Sequence, residues 1–351
     1  MQSRKVLEAL KRKKVDAFLV IQKENIAYLC GFYGSLGALL LGDGNFLFVD
    51  GRYYIQAKEE AKDCEIVLAK GSFWETVGEF VKNRGIKRLG FEEAHMSYRV
   101  YRFLRRKAKG TSFVPLSEIV ERERMIKNEW ELERMERALR LSEEAISHCL
   151  GIIKEGMSER DLAEELEFFI KREGGEMAFE SIVAFGERSA LPHAKPGNRK
   201  LKRGDVILID TGARIDGYCS DITRVFFFGK PDEEILKIYE AVLEAQNLVI
   251  EKIKAGMRGE EADSLARESL KEKGYGEHFT HSLGHGVGRE VHEIPSLAPG
   301  SKEKLRSSTV VTVEPGVYIE GLGGVRIEDM VVISKDSSRN LTKFPKELII
   351  L

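Results

Sequence analysis

A chain of 351 residues with a net charge of −1 is long enough for two cored domains and lacks the basic surplus of a nucleic-acid-binding protein. Charged residues make up 32% while glutamine occurs only four times, a balance that fits the ion-pair-rich surface of a thermophile's protein. There is no apolar run of about 18 residues and the start Met-Gln-Ser-Arg-Lys has no signal-peptide core, so a cytoplasmic protein with no membrane segment is expected.

Residues 1–122 alternate helix and strand patterns. Helices are predicted at Met1–Lys14, Arg52–Lys62, Phe73–Asn83 and Tyr98–Lys109. Strands are predicted at Asp16–Ile21, Glu65–Leu68 and Arg88–Phe91, with a hairpin over Leu36–Val49 turning at Asp43-Gly44. That alternation predicts an α/β domain. It holds one histidine, His95, and no catalytic cluster. The junction to a second domain, 123–351, falls in Ser117–Lys127, where a charged stretch leads into a long amphipathic helix reaching about Lys154.

From there the chain repeats itself at an offset of 100 residues. Lys154-Glu-Gly156-Met157 and a helix ending at Gly174 match Lys254-Ala-Gly256-Met257 and a helix ending at Gly274. Each copy is a helix pair followed by an acidic hairpin. Two related halves would set their hairpins face to face and bring four carboxylates to one pocket.

The first hairpin carries Asp210 and Asp221. Asp216-Gly217 lies between two apolar, β-prone runs, and both residues tolerate the positive φ of a type I′ turn. A two-residue loop there puts position 221 opposite 212, so Asp210 and Asp221 become diagonal neighbours on one face, with Cβ atoms roughly 7 to 8 Å apart. Two ionised carboxylates so close repel unless a cation lies between them. Cys219, two residues before Asp221 on the same strand face, is read as a buried packing thiol, as are the scattered Cys30, Cys64 and Cys149.

Five of the seven histidines fall between 193 and 292: His193, His278, His281, His285 and His292. His281 and His285 have zincin spacing, but Gly284 and Gly286 argue against a helix. Glycines on both sides of His285 allow the close backbone approach that a buried ligand needs. In the second hairpin, strands at Thr309–Ile319 and Val325–Ile333 put Glu314 and Glu328 on one face if the loop between them has an odd number of residues; Pro315 implies a bulge or an edge. Four carboxylates and an imidazole form a hard donor set that favours Mn²⁺ or Co²⁺, with Zn²⁺ or Fe²⁺ as the other options. Two such ions roughly 3.5 to 4 Å apart activate water, which makes metal-assisted hydrolysis the expected reaction class.

These motifs resemble the aminopeptidase P and prolidase group of pita-bread metallopeptidases over essentially the whole length. The matching segments are Ser-Ala-Leu-Pro-His193, Ile-Asp210-Thr-Gly-Ala, Ser-Asp221-Ile-Thr-Arg, His281-Ser-Leu-Gly-His285-Gly-Val-Gly, Val-Glu314-Pro-Gly-Val-Tyr318 and Val-Arg326-Ile-Glu328-Asp. The resemblance implies an α/β N-terminal domain and an α+β pita-bread catalytic domain with a pseudo-twofold internal repeat. It further implies two divalent metal ions per subunit, bridged by Asp221 and Glu328, with Asp210 completing one and His285 with Glu314 the other. Glu314 would also take the proton of the attacking water. His193, His281 and His292 would contact substrate carbonyls or move protons, with Tyr318 and Arg326 in support.

The implied substrates are di- or oligopeptides with proline second, and the implied assembly is a homodimer whose N-terminal domain borders the partner's active site. Gly31-Phe-Tyr-Gly-Ser-Leu-Gly37 and Asp50-Gly-Arg-Tyr-Tyr-Ile-Gln56 are similar to aminopeptidase P members. Prolidases often place an arginine near the segment that reads His292-Glu-Ile-Pro-Ser296 here, so the expectation is an Xaa-Pro aminopeptidase, with the Xaa-Pro dipeptidase as the alternative. A non-catalytic pita-bread binding module would have lost metal ligands, creatinase-type enzymes lack this ligand set, and methionine aminopeptidase leaves the first 120 or so residues unexplained.

Overall fold

The computed structural model describes residues 2–351, so Met1 of the expected first helix lies outside the described residues. The chain forms two compact units, one ending at Arg124 and the other running from Met125 to Leu351. No helix among the described residues is long and apolar enough to cross a membrane.

The first unit is built on a six-stranded mixed sheet in the order Glu65–Leu68, Gly44–Val49, Ala38–Gly42, Ala17–Val20, Arg88–Glu92, Ser112–Leu116. Side chains alternate between two cores, as period two requires. Phe18, Val20, Leu39 and Leu41 pack on one face, and Ala17, Leu19, Ala38 and Leu40 on the other. Helices cover both faces, which is why the central strands read as unbroken apolar runs. Two elements escape the periodicity. The helix Lys23–Cys30 buries six of its eight residues and so shows no polar stripe. The strand Ser112–Leu116 contains Pro115, which an edge position tolerates.

In the second unit, helix pairs Glu129–Ile152 with Glu159–Arg172 and Glu233–Lys252 with Gly259–Glu272 repeat at the expected offset. The linkers match bond for bond. Gly156 N donates to Leu201 O and Gly256 N to Leu305 O, each at 2.9 Å. Leu201 N donates to Met157 O and Leu305 N to Met257 O, each at 2.8 Å. The first pair starts cleanly because Asn128 with Glu131 and Ser158 with Asp161 form reciprocal capping boxes.

The strands between the helix pairs are buried on both faces. Val206 and Leu208 pack with Ile238, Val242 and Ala266, while Ile207 and Ile209 pack with Leu139, Leu162 and Leu166. Val311 and Val313 join the former cluster and Val310 the latter. Any charged group at the end of such a strand is therefore carried into the interior, at a cost of several kcal/mol unless it is paired or bound to a cation.

Candidate metal centre

The first acidic hairpin adopts the register its turn dictates. Ile215 pairs with Tyr218, Thr211 with Ile222 and Asp210 with Thr223, around Asp216 at φ 51° and Gly217 at φ 79°. Asp221 is therefore diagonal to Asp210.

The second hairpin turns through three residues, Glu320-Gly321-Leu322, since Ile319 pairs with Gly323. Val313 pairs with Asp329 and Gly316 with Arg326, so both sides of the ladder put Glu314 opposite Glu328. At that rung the strands separate. Glu314 N donates to Leu283 O at 2.9 Å and Glu328 N to Thr223 O at 3.1 Å, while Pro315 has no proton to give. The second bond joins the two hairpins, so the carboxylates of both converge.

Asp210, Asp221, Glu314 and Glu328 line one cavity of about 420 Å³ together with His193, His281, His285, His292 and Arg326. Tyr318 stands behind this wall. Arg326 Nη1 donates to its hydroxyl at 2.7 Å, and the hydroxyl lies 2.9 Å from His281 Nε2. His281 Nδ1 faces Ser282 O at 2.8 Å, so Nδ1 carries the proton and Nε2 accepts from Tyr318. His278 is not among the lining residues, and Cys219 is fully buried, with its N–H on Gly288 O.

His285 lies on the short strand Gly284–Gly286, not on a helix. A Cβ on Gly284 would fall 2.2 Å from Thr312 O, and one on Gly286 would fall 2.4 Å from Ile294 O. Only glycine allows the strand to pass this close to its neighbours. His285 Nδ1 lies 3.1 Å from Gly286 O and donates to it, which directs Nε2 toward Glu314 Oε1 at 3.2 Å and Asp221 Oδ2 at 3.7 Å.

The electrostatics of the cluster call for positive charge. Burial pushes the carboxyls of Asp221 and Glu328 well above the usual range, and repulsion from neighbouring carboxylates adds to it, Glu328 acting most on Asp221 and Glu314 most on Glu328. Burial raises Asp210 as well, against the attraction of Arg326. Burial is the largest influence on Glu314 and opposes its ionisation, but the hydrogen bond from His285 and the charges of His285, Arg326 and His281 together hold this carboxyl below the usual range. For His285 burial is again the largest influence, but Glu314, the Gly286 carbonyl and Asp210 together raise the imidazole, whereas burial lowers His281 and His292.

The donor set fits a divalent metal. Asp221, His285 and Glu328 each present a ligand atom within 4.8 Å of the others. Asp210 Oδ1 is buried and accepts no hydrogen bond. Hard oxygens with one imidazole suit Mn²⁺, Co²⁺, Zn²⁺ or Fe²⁺.

Two threonines complete the site and were not singled out by motif. Thr223 Oγ1 donates to Glu328 Oε2 at 2.7 Å and accepts from Arg326 Nε at 3.1 Å. Thr312 Oγ1 donates to Glu314 Oε1 at 3.2 Å and accepts from His285 N at 3.1 Å. Each lies two residues along a strand from a carboxylate, on the same face. That spacing is the signal by which they are legible in the sequence.

Comparison with known proteins agrees with this geometry. Residues 133–335 match Metallopeptidase family M24, and residues 3–126 match the Creatinase/Prolidase N-terminal domain. The Xaa-Pro dipeptidase of Pyrococcus horikoshii is 40% identical over 99% of this chain and 98% of its own. The structure of the Xaa-Pro dipeptidase from Bacillus anthracis superimposes with a TM-score of 0.96 at 40% identity, covering 100% of this chain and 99% of that one. That of the X-Pro aminopeptidase from Thermotoga maritima MSB8 does so with a TM-score of 0.91 at 39% identity, covering 98% and 100%.

Proposed function

The chain belongs to metallopeptidase family M24, and on that premise we propose that it is a metal-dependent Xaa-Pro peptidase acting as an Xaa-Pro dipeptidase. Its fold is the α/β N-terminal domain followed by the α+β pita-bread catalytic domain with an internal repeat, with proposed limits of 1–122 and 123–351. The observation that carries the reading is the convergence of three buried carboxylates, Asp210, Asp221 and Glu328, with the half-buried Glu314 and His285 around a single cavity. The N-terminal motifs lean toward aminopeptidase P, but the dipeptidases of Pyrococcus horikoshii and Bacillus anthracis weigh the other way, and the reading follows them.

The residues that would hold two divalent ions are Asp210, Asp221, His285, Glu314 and Glu328. Mn²⁺ or Co²⁺ suits this set best. When bound, the ions supply an activated water and a Lewis-acidic partner for the scissile carbonyl. Glu314 would accept the proton of the attacking water. Arg326 holds Asp210 and Tyr318 in place, and Tyr318 passes its hydroxyl proton toward His281. His193 and His292, both exposed in the cavity wall, meet the substrate. We further propose a cytoplasmic homodimer, for which light scattering at the mass of one chain is the contrary result.

The aminopeptidase reading survives as a second one for a specific reason. Arg326 is the sole Lys or Arg among the described cavity-lining residues, and Asp210, Thr223 and Tyr318 already engage it. No lining guanidinium or ammonium is left for the free carboxylate of a dipeptide. The deciding experiment compares Xaa-Pro with Xaa-Pro-Yaa on Mn²⁺-loaded protein. Faster release from the dipeptide supports the first reading, and faster release from the tripeptide supports the second. Undiminished turnover after chelation would sink both.

A further inference from the structure

His292 sits on the stretch between Gly284–Gly286 and Glu293–Leu297, with its ring centroid 4.1 Å from that of His285. It is exposed in the cavity wall, so its own ring contacts do not fix the backbone that carries it. The next residue does. Glu293 opens the following strand, and its side chain is only 4% exposed. Its Oε1 accepts from Glu290 N at 3.0 Å, and its Oε2 lies 3.3 Å from Lys127 Nζ, whose side chain is 0% exposed. The turn closes around this carboxylate. A Cβ on Gly288 would fall 2.6 Å from Glu293 Oε2.

The far end of the pair is anchored as well. Lys127 N donates to Ser308 O at 2.8 Å, Cys219 N donates to Gly288 O at 2.7 Å, and the Arg289 guanidinium lies over the Tyr218 ring at 5.0 Å. Neither Lys127 nor Glu293 lines the cavity. A buried ion pair stabilises no better on average than an apolar pair of the same volume, so this one is weak evidence for stability.

We propose that Lys127 and Glu293 are positioning residues that set the His292 imidazole against His285 from behind the cavity wall. The inference rests on the peptidase reading above. The test combines a change of both charges, Lys127→Met with Glu293→Gln, with ring ¹⁵N spectra of metal-free, histidine-labelled protein. The expected result is a shifted His292 signal, identified by its loss in His292→Ala, with the His193 signal unmoved; Glu293→Gln alone gives the same shift.

In the Mn²⁺-loaded enzyme kcat for Xaa-Pro falls about tenfold to a hundredfold, with KM and bound metal unchanged. No further loss appears when the same change is made in a His292→Ala background. An unmoved His292 signal, or an equal loss of kcat in that background, overturns the proposal. Wild-type protein inert toward Xaa-Pro would overturn the peptidase reading and leave the ring spectra to decide this one.

Discussion

Arg326 Nη2 lies 2.6 Å from Asp210 Oδ2, while Oδ1 of the same carboxyl is buried and accepts no hydrogen bond. The pair joins the two acidic hairpins and sets the two oxygens of one carboxyl apart. One oxygen is held by the guanidinium, and the other is left without a hydrogen bond.

Removing the guanidinium strands that carboxyl. Arg326→Met is expected to destabilise the metal-free protein by about 3–5 kcal/mol, the cost typical of breaking a buried pair from one side. The urea midpoint measures it. An unchanged midpoint would mean that the contact contributes nothing.

Metal loading should stabilise the fold, because a ligand bound only by the native state adds about 2.7 kcal/mol at a hundred times its Kd. Calorimetry with and without Mn²⁺ reads this as a rise in the melting temperature. Asp221→Asn keeps the side chain's shape and removes its charge. It is expected to fold, to lose the metal-dependent rise and to lose turnover. A variant that still melts higher with Mn²⁺ would remove Asp221 from the ligand set.

Burial first, then repulsion from neighbouring carboxylates, hold the Asp221 and Glu328 carboxyls above their ordinary values of 3.8 and 4.5. Groups raised in the folded state contribute stability that is fully present below those ordinary values and is lost as pH rises through the folded ones. Glu314 works in the opposite direction. Its lowered carboxyl contributes above 4.5, and that contribution is lost on acidification. Asp210 and His285 are raised in the same sense, against the lowered His281 and His292, and the strongest shifts are those of Asp221 and Glu328, so the metal-free protein is expected to weaken as pH rises above their ordinary values, and Mn²⁺ should reduce the trend. Denaturant midpoints that do not change with pH in the metal-free protein would contradict this.

The strand carrying His285 has no room for a side chain at its flanks. Gly284→Ala would bring a methyl to 2.2 Å from the Thr312 carbonyl, which is backbone and cannot swing away. Such overpacking costs about 1–3 kcal/mol, and the displaced strand carries the imidazole with it. Loss of metal affinity exceeding the loss of stability is the expected signature. Normal metal uptake would show that the strand can shift without moving its ligand.

Much of the site was legible because it is built from local rules. Asp216-Gly217 demands a two-residue turn, and that turn alone puts Asp221 diagonal to Asp210. The three-residue loop at Glu320-Gly321-Leu322 has the odd count that places Glu314 with Glu328. Thr223 and Thr312 were passed over because a threonine on a strand is ordinary until its partner is known. Helix Lys23–Cys30 was missed for a related reason, since a segment buried nearly all round has no periodicity to read.

By itself, the order of residues determined the chemical types of the candidate ligands, the hairpin registers and the duplicated helix pairs, all of which rest on spacing along the chain. The tertiary structure alone decided which groups meet across the hairpins. Asp210 finds Arg326 over a separation of 116 residues, His281 finds Tyr318 over 37, and Glu293 finds Lys127 over 166. Contacts at those separations are set by how two packed cores hold their strands, and hydrophobic packing is non-directional. Spacing along the chain therefore names the candidates, and the packed interior chooses the partners.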